Sequence, residues 1–168
     1  MTPFLLSLLL AVVPGVPDGG MVVAKGQRFL AEVARTPKEQ ALGLMYRQTL
    51  ARDRCMIFLY DSEDYHSIWM KNCLISLDVV WIKEDGTIVE LQPNVPPCSP
   101  MREGDCPTYG GTVPARHFVE FAVGTVRRLG LKRGDRLGWN LTFSDGQRVI
   151  GGLSVPADRS KPRKARRK

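Results

Sequence analysis

The sequence predicts a mostly β, β-rich α+β domain, a compact barrel-like antiparallel sheet with one or two short helices. Three observations lead there. Short apolar stretches with alternating or continuous burial patterns recur along the chain. Gly, Pro, Asn and Asp turn signals interrupt them about every 10 residues, the rhythm of a barrel or sandwich. Only two short segments carry helix signals, and the 168 residues suit one domain.

The elements follow in order. Residues 21–34 read as a hairpin, with Met21–Val23, a Lys25-Gly26-Gln27 turn, and alternation from Phe29 to Ala34. Thr36-Pro37-Lys38-Glu39 is a capping box with proline at the first helical position, and Gly43 is a natural stop. Cys55–Tyr60 is a continuous apolar run, hence a buried strand, and Asp61–Asp64 reads as a polar turn. Ser67–Lys71 and Leu77–Lys83 are two further strands; Glu84-Asp85-Gly86 turns the chain into Thr87–Leu91. A Pro- and Gly-rich loop spans Gln92–Ala115. His117–Val123 alternates as a strand, Gly124-Thr125 opens a second short helix ending near Gly130, and Arg136–Phe143 and Arg148–Ile150 close the sheet.

Charge and composition bound the function. Seven basic residues and one acid fall between Asp158 and Lys168, so all but +1 of the net charge of +7 belongs to that tail. The folded part is nearly neutral and offers no specific nucleic-acid site. The basic tail, 156–168, reads as disordered and suited at most to touching anionic surfaces. Phe4–Val13 is a ten-residue apolar run, too short to span a bilayer and of the length of a signal-peptide core. Residues 1–20 are therefore expected to be a signal peptide, residues 21–155 the domain, and the protein to be exported to the periplasm or beyond.

The cysteines fit an oxidising compartment. Cys98 and Cys106 bracket a turn-rich loop and are expected to form a disulfide contributing on the order of 2–3 kcal/mol. Cys55 and Cys73 lie in apolar stretches, either as a second bridge or as two core thiols. No zinc or other metal site is expected: neither C-x-x-C nor H-x-x-x-H occurs, and the histidines are His66 and His117 alone. No cofactor is expected either, since no Gly-rich phosphate loop precedes a helix.

Four segments, in this order, resemble a known family: Gly43-Leu44-Met45-Tyr46-Arg47; Met56-Ile57-Phe58; Trp69-Met70-Lys71-Asn72 with Leu77-Asp78; and Phe118-Val119-Glu120 running to Gly124 and Gly134-Asp135. They are similar to the bacterial and archaeal domain of unknown function 192 family, from about Phe29 to about Leu141. The resemblance implies a compact, mostly β, barrel-like fold, often exported; the family's activity is uncharacterised, so no catalytic role carries over from it. Cys55, Cys73 and Ser76 depart from the family's usual glycine, threonine and proline; the two cysteines favour a second bridge.

The polar residues placed to act are Arg47, Lys71, Asn72, Asp78, Tyr109 and Glu120, with Trp69 beside them. Asp78 sits in an apolar strand and needs a partner; an ion pair with Lys71 or Arg47 is the expected satisfaction. Trp69 and Lys71 share one strand face, and an outward Trp69 would offer a flat surface to a sugar or peptide, joined by Trp81 and Tyr109. No nucleophile elbow is present, and histidines are scarce. The first reading is thus a non-enzymatic binding or interaction module for a small ligand, glycan or envelope protein. A cell-envelope hydrolase or transferase using Asp78 and Glu120 as acid and base is the second, and a purely structural accessory domain the third.

Overall fold

The computed structural model describes residues 18–98 and 106–152. The leader expected at 1–20 falls outside these residues as far as position 17, as do the basic tail and the centre of the disulfide loop.

Ten strands and two helices follow one another. They are β1 (Gly19–Ala24), β2 (Gln27–Ala34), α1 (Pro37–Leu42), β3 (Arg54–Asp64), β4 (Ile68–Trp69), β5 (Leu77–Ile82), β6 (Ile88–Val95), β7 (Thr108–Tyr109), β8 (Ala115–Ala122), α2 (Thr125–Leu129), β9 (Leu137–Thr142) and β10 (Arg148–Gly152). Eight strands make one curled half-barrel sheet in the order β10-β9-β1-β2-β3-β8-β5-β6, and β4 and β7 form a separate two-stranded ribbon. The β-rich expectation holds. The first strand starts at Gly19, upstream of the expected domain boundary at 21, and Asp18 is already tied down by Arg35 at 2.8 Å.

One pairing departs from the antiparallel expectation. β2 and β3 run parallel, with Leu30 opposite Arg54 and Ala34 opposite Phe58. A parallel pair needs a long return connection, and the segment holding α1 provides it. The capping box forms in full: the Thr36 hydroxyl accepts from the Glu39 amide at 3.3 Å, and the Glu39 carboxylate accepts from the Thr36 amide at 2.9 Å. Two further readings need correction. Asp61–Asp64 is the exposed end of β3, not a turn, because polar composition marks exposure as readily as reversal. The Gln92–Ala115 loop contains the end of β6 and all of β7.

The turn into β6 is tied to the turn into β9. The Ile88 amide donates to the Asp135 carbonyl, and the Leu137 amide to the Gly86 carbonyl, each at 2.9 Å or less. Gly86 has φ +82° and lies against the Leu137 carbonyl, so a side chain there would force the two turns apart.

Both faces of the sheet centre are buried. One face carries Phe29, Val80, Val119, Phe121, Trp139 and their neighbours. The other carries Phe58, Leu77, Val79, Trp81 and Phe118, covered by α1, the β4–β7 ribbon and the connections around them. The cysteines divide accordingly: Cys55 belongs to the first core and Cys73 to the second, and both are free thiols. The second bridge does not form. Cys98 and Cys106 do bond, with α-carbons 5.7 Å apart.

Asp78 is 1% exposed, and the ion pair expected with Lys71 or Arg47 is not how it is satisfied. Its Oδ1 accepts from the Asn94 amide at 2.9 Å and its Oδ2 from the Val126 amide at 2.7 Å. The first bond fills the bulge where β6 slips register against β5, with Asn94 at φ +53°. The second caps α2, whose own N-cap residue, Gly124, has no side chain to offer. A carboxylate presents acceptors to both amides; an asparagine would turn an N–H₂ toward one of them. Asp78→Asn should therefore lose about 2–3 kcal/mol, seen as a melting temperature lower by about 5–10 °C with the far-UV circular dichroism unchanged. An unaltered melting temperature would refute the clasp.

Candidate functional site

A small cavity of about 120 Å³ lies on the covered face, between the end of α1, β3, β4 and β8. Its walls are the turn from Gln40 to Met45, the rings of Phe58, Tyr60, Trp69 and Phe118, and the Cys73 thiol, with Glu120 among them. Local sequence explains each wall. Gly43 ends α1 at φ +45°, and a Cβ there would stand 3.1 Å from the Phe58 ring. Phe58 and Phe118 face each other across the β3–β8 ladder and stack at 4.2 Å between ring centroids. Trp69 is 49% exposed while its neighbours Ile68 and Met70 are buried, so the short β4 alternates as expected.

Glu120 is the unusual member. It is 6% exposed, and its Oε2 is buried without a hydrogen-bond partner. Burial pushes its pKa up to about 8. The same carboxyl acts on its neighbours: burial first, then the charge of Glu120, raises Tyr60 to about 12 and Cys73 to about 11. At that value Cys73 is a poor nucleophile. Glutamine, serine and tyrosine side chains join the acid in the lining, and no lysine or arginine does.

The residues singled out from sequence distribute unevenly. Trp69 and Glu120 meet in the cavity. Lys71 stands over the outer face of Trp69, its Nζ 5.1 Å from the ring centroid. Asn72, at φ +57°, turns the chain: its carbonyl accepts from the Tyr46 amide at 2.8 Å, and its side chain donates to the Met45 sulfur at 3.8 Å. Arg47 points elsewhere, in an exposed pair with Glu32 at 2.6 Å. Tyr109 lies opposite Ile68 in the β4–β7 ribbon, packed against the core without lining the cavity. Trp81 does not join Trp69; it is fully buried and donates to the His66 carbonyl at 2.6 Å.

Asp78 and Glu120 do not form a catalytic pair. In the β5–β8 register Glu120 lies opposite Val79 while Asp78 lies opposite Phe121, so the two carboxyls project from opposite faces of the sheet. Asp78 borders a different cavity, beside Asn94 and Arg127. Among the described residues no group of three or more His, Cys, Asp and Glu side chains gathers to hold a metal ion. No helix among them is long and apolar enough to cross a membrane.

Tyr60, Gln40 and Ser67 escaped the sequence reading. Tyr60, on β3, stacks on the His66 ring, just past the strand's end, at 3.7 Å, a contact that no local pattern announces. Gly43 is the helix stop that the sequence predicts, and its closeness to Phe58 also shapes the cavity.

No curated protein matches the chain. Two solved structures are similar to it. One is of a candidate transcription regulator from Sinorhizobium meliloti 1021, 30% identical, covering 77% of this chain and 98% of that one, with a TM-score of 0.64. The other is of a protein of unknown function from Novosphingobium aromaticivorans DSM 12444, 32% identical, covering 74% and 85%, with a TM-score of 0.62. A family model described as "Uncharacterized ACR" matches residues 21–139, a span that holds the sheet centre, the Asp78 clasp and every wall of the Glu120 cavity. The chain belongs to that family, domain of unknown function 192 (DUF192).

Proposed function

We propose that this protein is an exported, non-enzymatic binding module whose site is the Glu120 cavity, where one polar group of a small ligand, glycan or protein segment is received. The observation that carries this reading is the orphaned carboxyl oxygen. A buried acid without a donor costs several kcal/mol, and a fold that needed only packing there would be more stable with an apolar or amide side chain. Asp78 and Glu90 set the contrast. Both are buried, and both are satisfied, Glu90 by the Thr112 amide and hydroxyl at 2.9 Å each.

Catalysis is the weaker reading. The thiol beside Glu120 is held protonated, and the nearest buried carboxylate on β5 is across the sheet. Export is supported by the Cys98–Cys106 bridge and by the apolar run Phe4–Val13. The bridge also bears on the site, because the Cys98 amide donates at 3.2 Å to the Met70 carbonyl, behind the Trp69 wall.

Two tests follow. Protein recovered from outside the plasma membrane of an expressing bacterium should lack the apolar leader and gain two hydrogens on reduction, by intact mass. Four free thiols and an uncut Met1 would overturn export. The second test is a pH series on Glu120→Gln. The folded pKa of about 8 exceeds the ordinary 4.5, so the folded state holds a proton that the unfolded chain has already released. Wild-type stability therefore falls as pH rises from about 4.5 to about 8, then levels off. The variant should match wild type near pH 4.5 and melt about 5–10 °C higher at pH 9. A variant less stable than wild type at pH 9 would make Glu120 a structural residue and remove the basis of the binding reading.

A further inference from the structure

The cavity's mouth carries information that its interior does not. Leu42 and Trp69, which line it, are both about half exposed, at 51% and 49%. Two large apolar side chains, half exposed at one opening, suit a surface that another chain covers. Charge gives the second half of the argument. The interior offers an acid with no basic residue lining the cavity, framed by Phe58, Tyr60, Phe118 and Trp69. A group that suits both parts has an apolar stem for the rings and a cation at its end for the carboxylate. Lys71 shows that Trp69 accepts an ammonium against its ring, at 5.1 Å from the centroid.

We propose that the occupant is the side chain of a lysine presented by an extended segment of a partner protein, its ammonium on Glu120 and its flanking residues on Leu42 and Trp69 at the mouth. This rests on the cavity being a binding site at all. A lysine stem of four methylenes is slender enough for a cavity of about 120 Å³. The groups facing Glu120 are Tyr60 from β3 and Cys73 from the turn after β4, both neutral near pH 7, together with Gln40 and Ser67. None of these is a cation; His66, stacked on Tyr60, and Lys71, over the Trp69 ring, stand outside the lining. Since Glu120 must give up its proton to take the ammonium, affinity should rise as pH rises toward about 8 and flatten above it.

The experiment titrates the full chain by calorimetry and by NMR with four probes: Ac-Leu-Lys-Leu-NH₂, the same peptide with norleucine for lysine, n-butylammonium, and N-acetylglucosamine. The lysine peptide is expected to bind saturably, shift the amides around Glu120 and Phe58, and exceed the norleucine peptide by at least tenfold. Between pH 6 and pH 8 its affinity should climb by about tenfold per unit, and Glu120→Gln should abolish the preference for lysine while leaving the fold intact. Equal binding of the two peptides, or an unchanged preference in Glu120→Gln, overturns the inference. Butylammonium binding as tightly as the peptide overturns the partner-protein half of it. If N-acetylglucosamine alone binds at the cavity, the lysine inference falls and the binding module stands. If no probe binds at any pH, both fall together.

Discussion

The structure depends on burying both faces of the β3–β8–β5 ribbon. All six residues of β5 are buried, and so are seven of the eight in β8. A sheet covered on one side can send its polar residues outward; this one cannot, at its centre. The polar side chains at the centre of these strands, Asp78, His117 and Glu120, are taken from water and have to find partners inside. Asp78 finds two backbone amides, and in doing so joins the β6 bulge to the start of α2. His117 accepts from the Tyr60 amide at 3.2 Å through Nδ1. Glu90, on the neighbouring β6, holds the Gly110–Thr112 turn that closes over Trp81. Glu120 alone in this set keeps an oxygen without a donor, so the constraint that builds the fold also isolates the site.

The same constraint explains what could be read from the sequence. Continuous apolar runs at Cys55–Tyr60 and Leu77–Ile82 announce strands covered on both sides, and the capping box and Gly86 turn are local chemistry that tertiary packing leaves intact. The disulfide was legible because its loop is short and turn-rich. Register was not legible. Whether Asp78 and Glu120 share a face turns on a one-residue offset between strands some forty positions apart in sequence, and no pattern within either strand reveals it. The parallel β2–β3 pair was missed for a related reason: alternation gives a strand's faces but not its direction. Asp78's partners were missed because they are backbone amides, which carry no residue signature.

Opposite faces also let β8 carry two titratable groups that act independently. His117 projects toward the Trp139 ring, edge-on at 5.5 Å, and Glu120 toward the Phe58–Phe118 stack. Burial, reinforced by Arg116 and His66, holds His117 down at about 4 against an ordinary 6.5. Its neutral form is what the Tyr60 amide requires, since protonation at Nδ1 would set two donors against each other. Below pH 6.5 the unfolded chain takes up a proton that the folded chain refuses until about pH 4, so stability declines with acid over that window. Glu120 declines in the other direction, between about 4.5 and 8. The two slopes oppose each other from about pH 4.5 to 6.5, which leaves a plateau there and a fall above it. Guanidinium titrations at half-unit pH steps should trace this shape. His117→Gln would then remove the rising contribution and leave a stability that falls through the whole span from about pH 4.5 to 8, whereas Glu120→Gln would leave the rise and abolish the fall. A flat profile in wild type would mean that both side chains reach water in solution, and that the sheet centre is sealed on neither face.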